Sequence, residues 1–584
     1  MQVPYKLAVA GAALALWPHP TGAQAQCAEV PSTETYDYIV VGSGAGGIPM
    51  ADRLSEAGHK VLLIEKGPAS TGRWGGTMKP DWLKDTLLTR FDVPGLCNQI
   101  WADPTGAVCT DVDQMAGCML GGGTAVNAGL WWKPHPADWD VNFPEGWRST
   151  NVAAATERVF SRIPGTIAPS MDGRRYLSQG FDMLGGSLRA AGWEYLDPPN
   201  AHPDKKNRTF GHSTFMYAGG ERGGPLATYL VSAAGRRGFT LWMNTTVRRV
   251  IREGGHATGV EVQCSSSSGG GAGHTGVVPL TPKTGRVIIS AGAFGSAKLL
   301  FRSGIGPTDQ LNIVKNSTDG PTMISSDQWI NLPVGYNLND HVGTDVEIAH
   351  PDVVFYDYYG AWNKPIATHA ESYLANRTGP LAQAAPNIGP IFWEIIKGSD
   401  GVSRHLQWQA RVEGKLNTSM TVTQYLGTGS LSRGRMTITR QLNTIVSTPP
   451  YLRDKYDREV VIQGIVNLRE SLKDVANLTW ITPLPNVTAE AFVDSIPATP
   501  ARRCSNHWIG TAKIGTDDGR TGGTSVVDLD AKVYGTDNIF VVDASIFPGH
   551  ITGNPSAMIV IAAEHAATRI LGLKPLSEPE ASSS

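Results

Sequence analysis

The segment from Tyr38 to Gly67 constrains the fold more than any other. Tyr38, Ile39, Val40 and Val41 form an apolar, β-branched run with the length of a buried strand, cut off at Gly42. Gly42, Gly44 and Gly47 then fall at G-x-G-x-x-G spacing, with Ala45 between them. The first glycine permits a tight turn, the second lets a pyrophosphate approach bare backbone, and the third lets the next helix pack on the sheet. Ile48, Met50, Ala51 and Leu54 recur at helical spacing up to Gly58, and Val61 to Ile64 read as a second strand. Glu65 closes the unit, where a carboxylate accepts hydrogen bonds from ribose hydroxyls and repels an added phosphate. The pattern predicts a βαβ unit with a dinucleotide at the helix N-terminus. These residues alone leave FAD and NAD equally open.

Further strand-like runs of the same kind lie far away, at residues 286–291 and 538–543. One sheet built from 37–42, 61–66 and these two implies an α/β fold with a discontinuous Rossmann-like domain, predicted over 34–118, 226–348 and 528–575. The rest, 119–225 and 349–527, is expected to form a second, substrate-binding domain. Alternation at Met420, Val422, Gln424 and Leu426 predicts a large antiparallel sheet there. Residues 265–273, SSSSGGGAG, read as a hairpin loop, and 577–584 as a frayed tail. The 16 tryptophans exceed what a core needs; some are expected to stack on sugar rings, although each taken singly reads as a core residue.

Composition narrows the function classes. Lys plus Arg number 50 and Asp plus Glu 52, so no whole-chain field draws the protein to nucleic acid or an anionic membrane. Lys6, the apolar stretch Leu7 to Leu16 and Ala23-Gln24-Ala25 read as a signal peptide over 1–25, which predicts a secreted, extracellular protein. Seven N-x-S/T sequons, at Asn207, Asn244, Asn316, Asn376, Asn417, Asn477 and Asn486, agree with export. There is no C-x-x-C, H-E-x-x-H or G-x-S-x-G, so no metal is expected and a serine hydrolase is disfavoured. Of six cysteines, Cys97 and Cys109 are expected to bridge, and Cys118 to stay a buried free thiol.

Three further motifs bear on the cofactor: Gly117-Cys118-Met119-Leu120-Gly121-Gly122-Gly123-Thr124, Gly292-Ala293-Phe294-Gly295-Ser296-Ala297, and the C-terminal block Ser505-Asn506-His507-Trp508 with Val541-Val542-Asp543-Ala544 and Thr552-Gly553-Asn554-Pro555. On these residues the chain resembles the glucose-methanol-choline (GMC) oxidoreductases, from about 34 to 573, and within them the flavin domain of cellobiose dehydrogenase. The flavin domain starts so soon after the expected cleavage site that no haem domain is expected before it. The resemblance implies FAD, held by Gly42, Gly44, Ala45, Gly47, Glu65, Gly121, Gly122, Gly123, Thr124, Asn127, Val247, Ala291, Asp543, Ala544, Asn554 and Pro555. Residues 117–130 contain no histidine of the kind that tethers flavin in some members, so the FAD is expected to be non-covalent.

The same resemblance puts His507 and Asn554 at the flavin's reactive edge. The chemistry asks for a neutral imidazole that takes a hydroxyl proton as hydride leaves the same carbon for flavin N5, and His507 fits that need. Asn554 would hydrogen-bond the same hydroxyl; since it precedes Pro555 and an apolar helix, it also reads as an N-cap. Ser505 and Asn506 would meet sugar hydroxyls, and the family register puts Asn98, Trp101 and Arg411 at the substrate, with Asn98 where relatives carry Glu. The implied reaction is oxidation of the anomeric hydroxyl of a glucose-terminated oligosaccharide to the lactone, with a quinone or similar soluble acceptor and a monomeric protein. The rivals are an aryl-alcohol or glucose oxidoreductase and a non-redox lyase of the same family.

Overall fold

A computed structural model of the chain describes residues 27–31, 33–265, 273–385 and 389–574. The signal segment expected at 1–25, most of the loop at 265–273 and the tail at 577–584 lie outside the described residues.

Five short strands form a wholly parallel sheet in the order Ile539–Val541, Arg286–Ile289, Tyr38–Val41, Val61–Ile64, Phe239–Trp242. Its first four strands are buried throughout, which is why they read as unbroken apolar runs and not as alternating ones. Four were expected; Phe239–Trp242 adds a fifth at the edge of the sheet, only partly buried. The helix Gly47–Glu56 joins two of the strands and packs against the helices Tyr229–Ala234 and Ser556–Leu571. Gly47 must be glycine, because a Cβ there would lie 1.8 Å from the Gly42 carbonyl oxygen. Asp52 on this helix is wholly buried and is met by Arg162 and Arg236 at 2.5 and 2.6 Å.

The second large sheet has seven strands, in the order Thr479–Thr482, Val342–Ala349, Ser419–Leu426, Ser403–Arg411, Ile391–Lys397, Thr209–Gly211, Glu194–Leu196. All neighbours are antiparallel except the last pair. The helix Lys455–Ser471 covers one face, and Gln424 donates to its Val461 carbonyl at 3.3 Å. Alternate residues Thr423 and Tyr425, pointing the other way, line a cavity. A four-stranded sheet, Ala28–Glu29, His274–Pro279, His256–Cys264, Thr245–Glu253, completes the frame. No helix among the described residues is long and apolar enough to cross a membrane.

The cysteines pair differently from expectation. Cys109 bonds Cys118, and Cys27 bonds Cys264, while Cys97 and Cys504 are free. The bridge Val108–Gly117 and the bond from the Cys109 amide to the Ala116 carbonyl fold this loop back on itself, so Cys118 and not Cys97 is opposite Cys109. Cys97 instead sits in an apolar cluster with Leu96 and Leu381, its thiol donating to the Ala385 carbonyl. Six sequon asparagines are exposed, but Asn244 is buried.

Candidate active site

A cavity of about 770 Å³ runs from the carboxyl ends of the parallel strands to the uncovered face of the seven-stranded sheet. This is where an open α/β sheet receives its ligands. Gly42, Gly44, Ala45, Glu65, Gly122, Gly123, Thr124, Asn127, Val247, Ala291, Asp543, Ala544, Asn554 and Pro555 all line it. Asn98, Trp101, Arg411, Ser505, Asn506 and His507 line it as well. Of the expected site residues only Gly47 and Gly121 do not. Gly47 packs helix on strand, and Gly121 lies behind the wall with its amide on the Ser43 carbonyl.

The donor set fits a dinucleotide. The two glycine loops face each other: a Cβ on Gly122 would come within 3.2 Å of the Gly44 Cα, while one on Gly44 would project into open space. Among the described residues the amides of Gly44 and Ala45 donate to no acceptor, so the N-terminus of the following helix offers them to an anion. Glu65 accepts from the Ser43 amide and hydroxyl at 3.0 and 2.6 Å and from the Gly67 amide at 2.9 Å; a carboxylate has sites left for ribose. Asp543 ties the walls together, accepting from the Gly292 amide and the Ser296 hydroxyl at 2.8 and 2.6 Å. Among the described residues, the buried polar atoms Trp508 Nε1 and Asn98 Oδ1 at the wall have no hydrogen-bond partner, which is what a ligand-completed site looks like.

At the far end His507 is held by its backbone. Asp340, buried just ahead of the strand Val342–Ala349, accepts from the amides of Ser505 and His507, each at 2.8 Å, and from the Tyr451 hydroxyl at 2.9 Å. Asn506 between them takes φ 56°, a left-handed turn that asparagine tolerates. Burial outweighs these donors and pushes the Asp340 carboxyl up to about 7.

Hydrogen bonding fixes the protons on the imidazole. Trp132 Nε1, a donor only, reaches Asn554 Oδ1 at 3.0 Å, and Gln407 Nε2 reaches the same oxygen at 2.9 Å. The Asn554 amide nitrogen therefore faces His507 Nε2, at 3.2 Å, and that nitrogen must be the acceptor. On the other side of the ring, His507 Nδ1 is 3.0 Å from His341 Nδ1. His341 Nε2 donates to the Ile551 carbonyl at 2.7 Å, so its Nδ1 carries the lone pair and His507 Nδ1 the proton. Both lines of argument give one tautomer. Burial lowers His507 to about 4, so the ring is uncharged near neutrality. Asn554 is not a cap: the helix Ser556–Leu571 begins after Pro555, and the asparagine side chain belongs to the cavity.

Some expected residues are less free than the sequence implied. Arg411 gives three of its five N–H groups to Glu413, Thr423 and Asp345. Asn127 joins the Ser556 hydroxyl at 3.0 Å, linking the second glycine loop to the last helix. Trp132, Gln407, Asp340 and His341 were not foreseen. The one signal for the last two was local: Asn339-Asp340-His341 puts three polar residues in a row before the strand Val342–Ala349, and all three are buried.

Comparison with known proteins agrees with this geometry. Two family models described as GMC oxidoreductase match residues 37–343 and 430–563. The ecdysone oxidase of Spodoptera littoralis is 25% identical, over 92% of each chain. An oxygen-dependent choline dehydrogenase of Sinorhizobium fredii is 25% identical over 93% of this chain and 96% of its own. Among solved structures, a variant of the formate oxidase of Aspergillus oryzae superposes with a TM-score of 0.72 at 18% identity, covering 93% of this chain and 99% of that one. An FAD-dependent oxidoreductase from Chaetomium thermophilum gives 0.70 at 19%, covering 92% and 99%. The chain belongs to the GMC oxidoreductase family and is an FAD-dependent enzyme that oxidises CH–OH groups.

Proposed function

We propose that the protein is a carbohydrate dehydrogenase that oxidises the anomeric C1 hydroxyl of glucose-terminated oligosaccharides, cellobiose- or laminaribiose-like, to the lactone. The observation that carries the reading is the pair formed by the His507 Nε2 lone pair and the Asn554 N–H, 3.2 Å apart at the cavity wall. A substrate hydroxyl that replaces their mutual hydrogen bond, accepting from Asn554 and donating to His507, has both its position and the direction in which its proton leaves fixed. Non-covalent FAD, when bound, supplies the hydride acceptor. Asn554, in place of a second histidine, sides with the cellobiose-dehydrogenase-like branch.

A sugar suits the rest of the cavity. Trp101, 60% exposed, and Tyr359 stand at its rim as apolar faces for a pyranose ring, and Asn98, Ser505 and Asn506 offer neutral polar groups. A cationic substrate such as choline finds the nearby carboxylates Asp345 and Glu413 already paired with Arg411. Two disulfides, six exposed sequons and the leader-like N-terminus support a secreted glycoprotein; a monomer that passes electrons to a quinone completes the proposal.

The test is a set of initial rates with β-linked glucose disaccharides, glucose, choline and an aryl alcohol, each with a quinone dye and with oxygen. Faster dye reduction with a disaccharide than with any other donor is expected. A preference for aryl alcohol or choline would overturn the sugar reading, and no reduction by any donor would favour a lyase.

A further inference from the structure

His341 lies behind His507, wholly buried and outside the cavity lining. We propose that His341 is a positioning residue that makes His507 a base, an inference that rests on the reading of His507 as the proton acceptor. A neutral imidazole has two tautomers, and only the one protonated at Nδ1 presents a lone pair to the cavity. That tautomer is selected by an acceptor at Nδ1 which cannot itself donate. His341 is such a group because the Ile551 carbonyl, 2.7 Å away, claims its one proton. Without it the buried His507 Nδ1–H would have no partner, and that unsatisfied donor would favour moving the proton to Nε2 against the single opposing Asn554 N–H, turning the ring into a donor towards the substrate.

The choice of a neutral acceptor has a second effect. A carboxylate in the same place would select the same tautomer but would hold the imidazolium and raise the pKa of His507. His341 is itself driven well below the ordinary histidine value by burial and by the adjacent His507. Of the other groups around it, His550 and Tyr425 add no negative charge. The His550 ring centre lies 3.4 Å from that of His341, its Nε2 donates to the His507 carbonyl and its Nδ1 accepts from the Ile551 amide, so it too is neutral. Tyr425 is pushed up to about 12 and keeps its proton. Arg433, beyond His550, is bound to Asn337 and to the Ser430 and Ser432 carbonyls. Asp340, the carboxyl beside it, has its oxygens engaged by two amides and a phenol. Two uncharged imidazoles, His341 and His550, thus back a base that stays deprotonated down to a pH near 4.

The experiment compares His341→Leu, His341→Asn, His341→Asp and His507→Ala as FAD-loaded proteins, reading the anaerobic rate of flavin bleaching by the preferred donor against pH. The ¹⁵N shifts of labelled histidine report which nitrogen of His507 is protonated. Leu removes the acceptor and is expected to slow bleaching at neutral pH by about 100-fold or more, the scale of general-base catalysis. Asn restores an acceptor oxygen and is expected to recover most of the rate, with His507 Nε2 again unprotonated. Asp keeps the acceptor but adds charge, and is expected to move the acid limb of the profile upward by about one to three units. Parent-like rates in His341→Leu beside a slow His507→Ala would overturn the role of His341 alone. A fast His507→Ala would overturn the base assignment and this inference with it. Should His341→Leu not fold, an unmoved acid limb in His341→Asp would be the refutation.

Discussion

Replacing Asn554 with Asp changes one NH₂ to an oxygen and little else in shape, yet it inverts the electrostatics at His507. Trp132 and Gln407 still satisfy one carboxylate oxygen, as they now satisfy the amide oxygen. The other oxygen faces His507 Nε2 at a contact that is 3.2 Å in the parent. Lone pair then opposes lone pair, and a proton between them is the relief. Opposite unit charges at that separation attract by roughly 5 kcal/mol at an effective dielectric of about 20. That corresponds to about four pKa units, from which the cost of burying the new carboxylate subtracts, leaving about two or more. The sign follows from the role. Oxidation needs Nε2 unprotonated, so raising a pKa that lies at about 4 in the parent moves the acid limb to higher pH. With a two-unit shift, bleaching near pH 5 falls by about tenfold from protonation alone, and recovers on the alkaline side. Asn554→Ala, which removes the donor without adding charge, should lower the rate at every pH and leave the limb near its parental position. The assay is single-turnover flavin reduction across pH; an Asn554→Asp limb superposable on the parent's would refute the contact on which the reasoning stands.

Three other outcomes follow from the geometry. Gly44→Ala should fold normally, since its Cβ meets nothing within 4 Å, but load less FAD, whereas Gly46→Ala, whose Cβ would lie 2.1 Å from the Val542 carbonyl, should lose on the order of 1–3 kcal/mol of stability. Flavin absorbance per protein and thermal melting separate the two effects. Removing the Cys27–Cys264 disulfide, which spans 237 residues of sequence, should cost about 2–5 kcal/mol and free the Ala28–Glu29 strand to proteolysis. Glycopeptide mass spectrometry of the protein expressed through a eukaryotic secretory pathway should find sugar at exposed sequons such as Asn316 and Asn417 and none at the buried Asn244.

What was legible in the sequence was whatever chemistry compresses into a few neighbouring residues. The turn from Val41 to Gly47 and the acid at Glu65 are a local code, because phosphate and ribose are gripped by one βαβ unit. His507 and Asn554 were legible through their motifs, and their separate segments do meet. The support behind them was not. His341 reaches His507 only because a strand start and a distant loop are brought together by Asp340, and no periodicity records that. Trp132 and Gln407 lie on a loop and on a strand of the seven-stranded sheet, and act on Asn554 from two directions; each alone looks like a core residue. The disulfide expectation failed for a related reason: Cys118, 9 residues from Cys109, reads as a free thiol because it lies in a glycine-rich segment, and only the folded-back loop puts it opposite Cys109.

The outermost strand of the parallel sheet, Ile539–Val541, pairs with Arg286–Ile289, and the same late segment of chain carries Asp543, Asn554 and the helix that covers the sheet. A nascent polypeptide still attached to the ribosome after its first few hundred residues therefore has its glycine turn exposed and half a nucleotide pocket. It cannot grip the flavin until the segment from Ile539 to Ser556 has also emerged, so cofactor capture follows the synthesis of that segment.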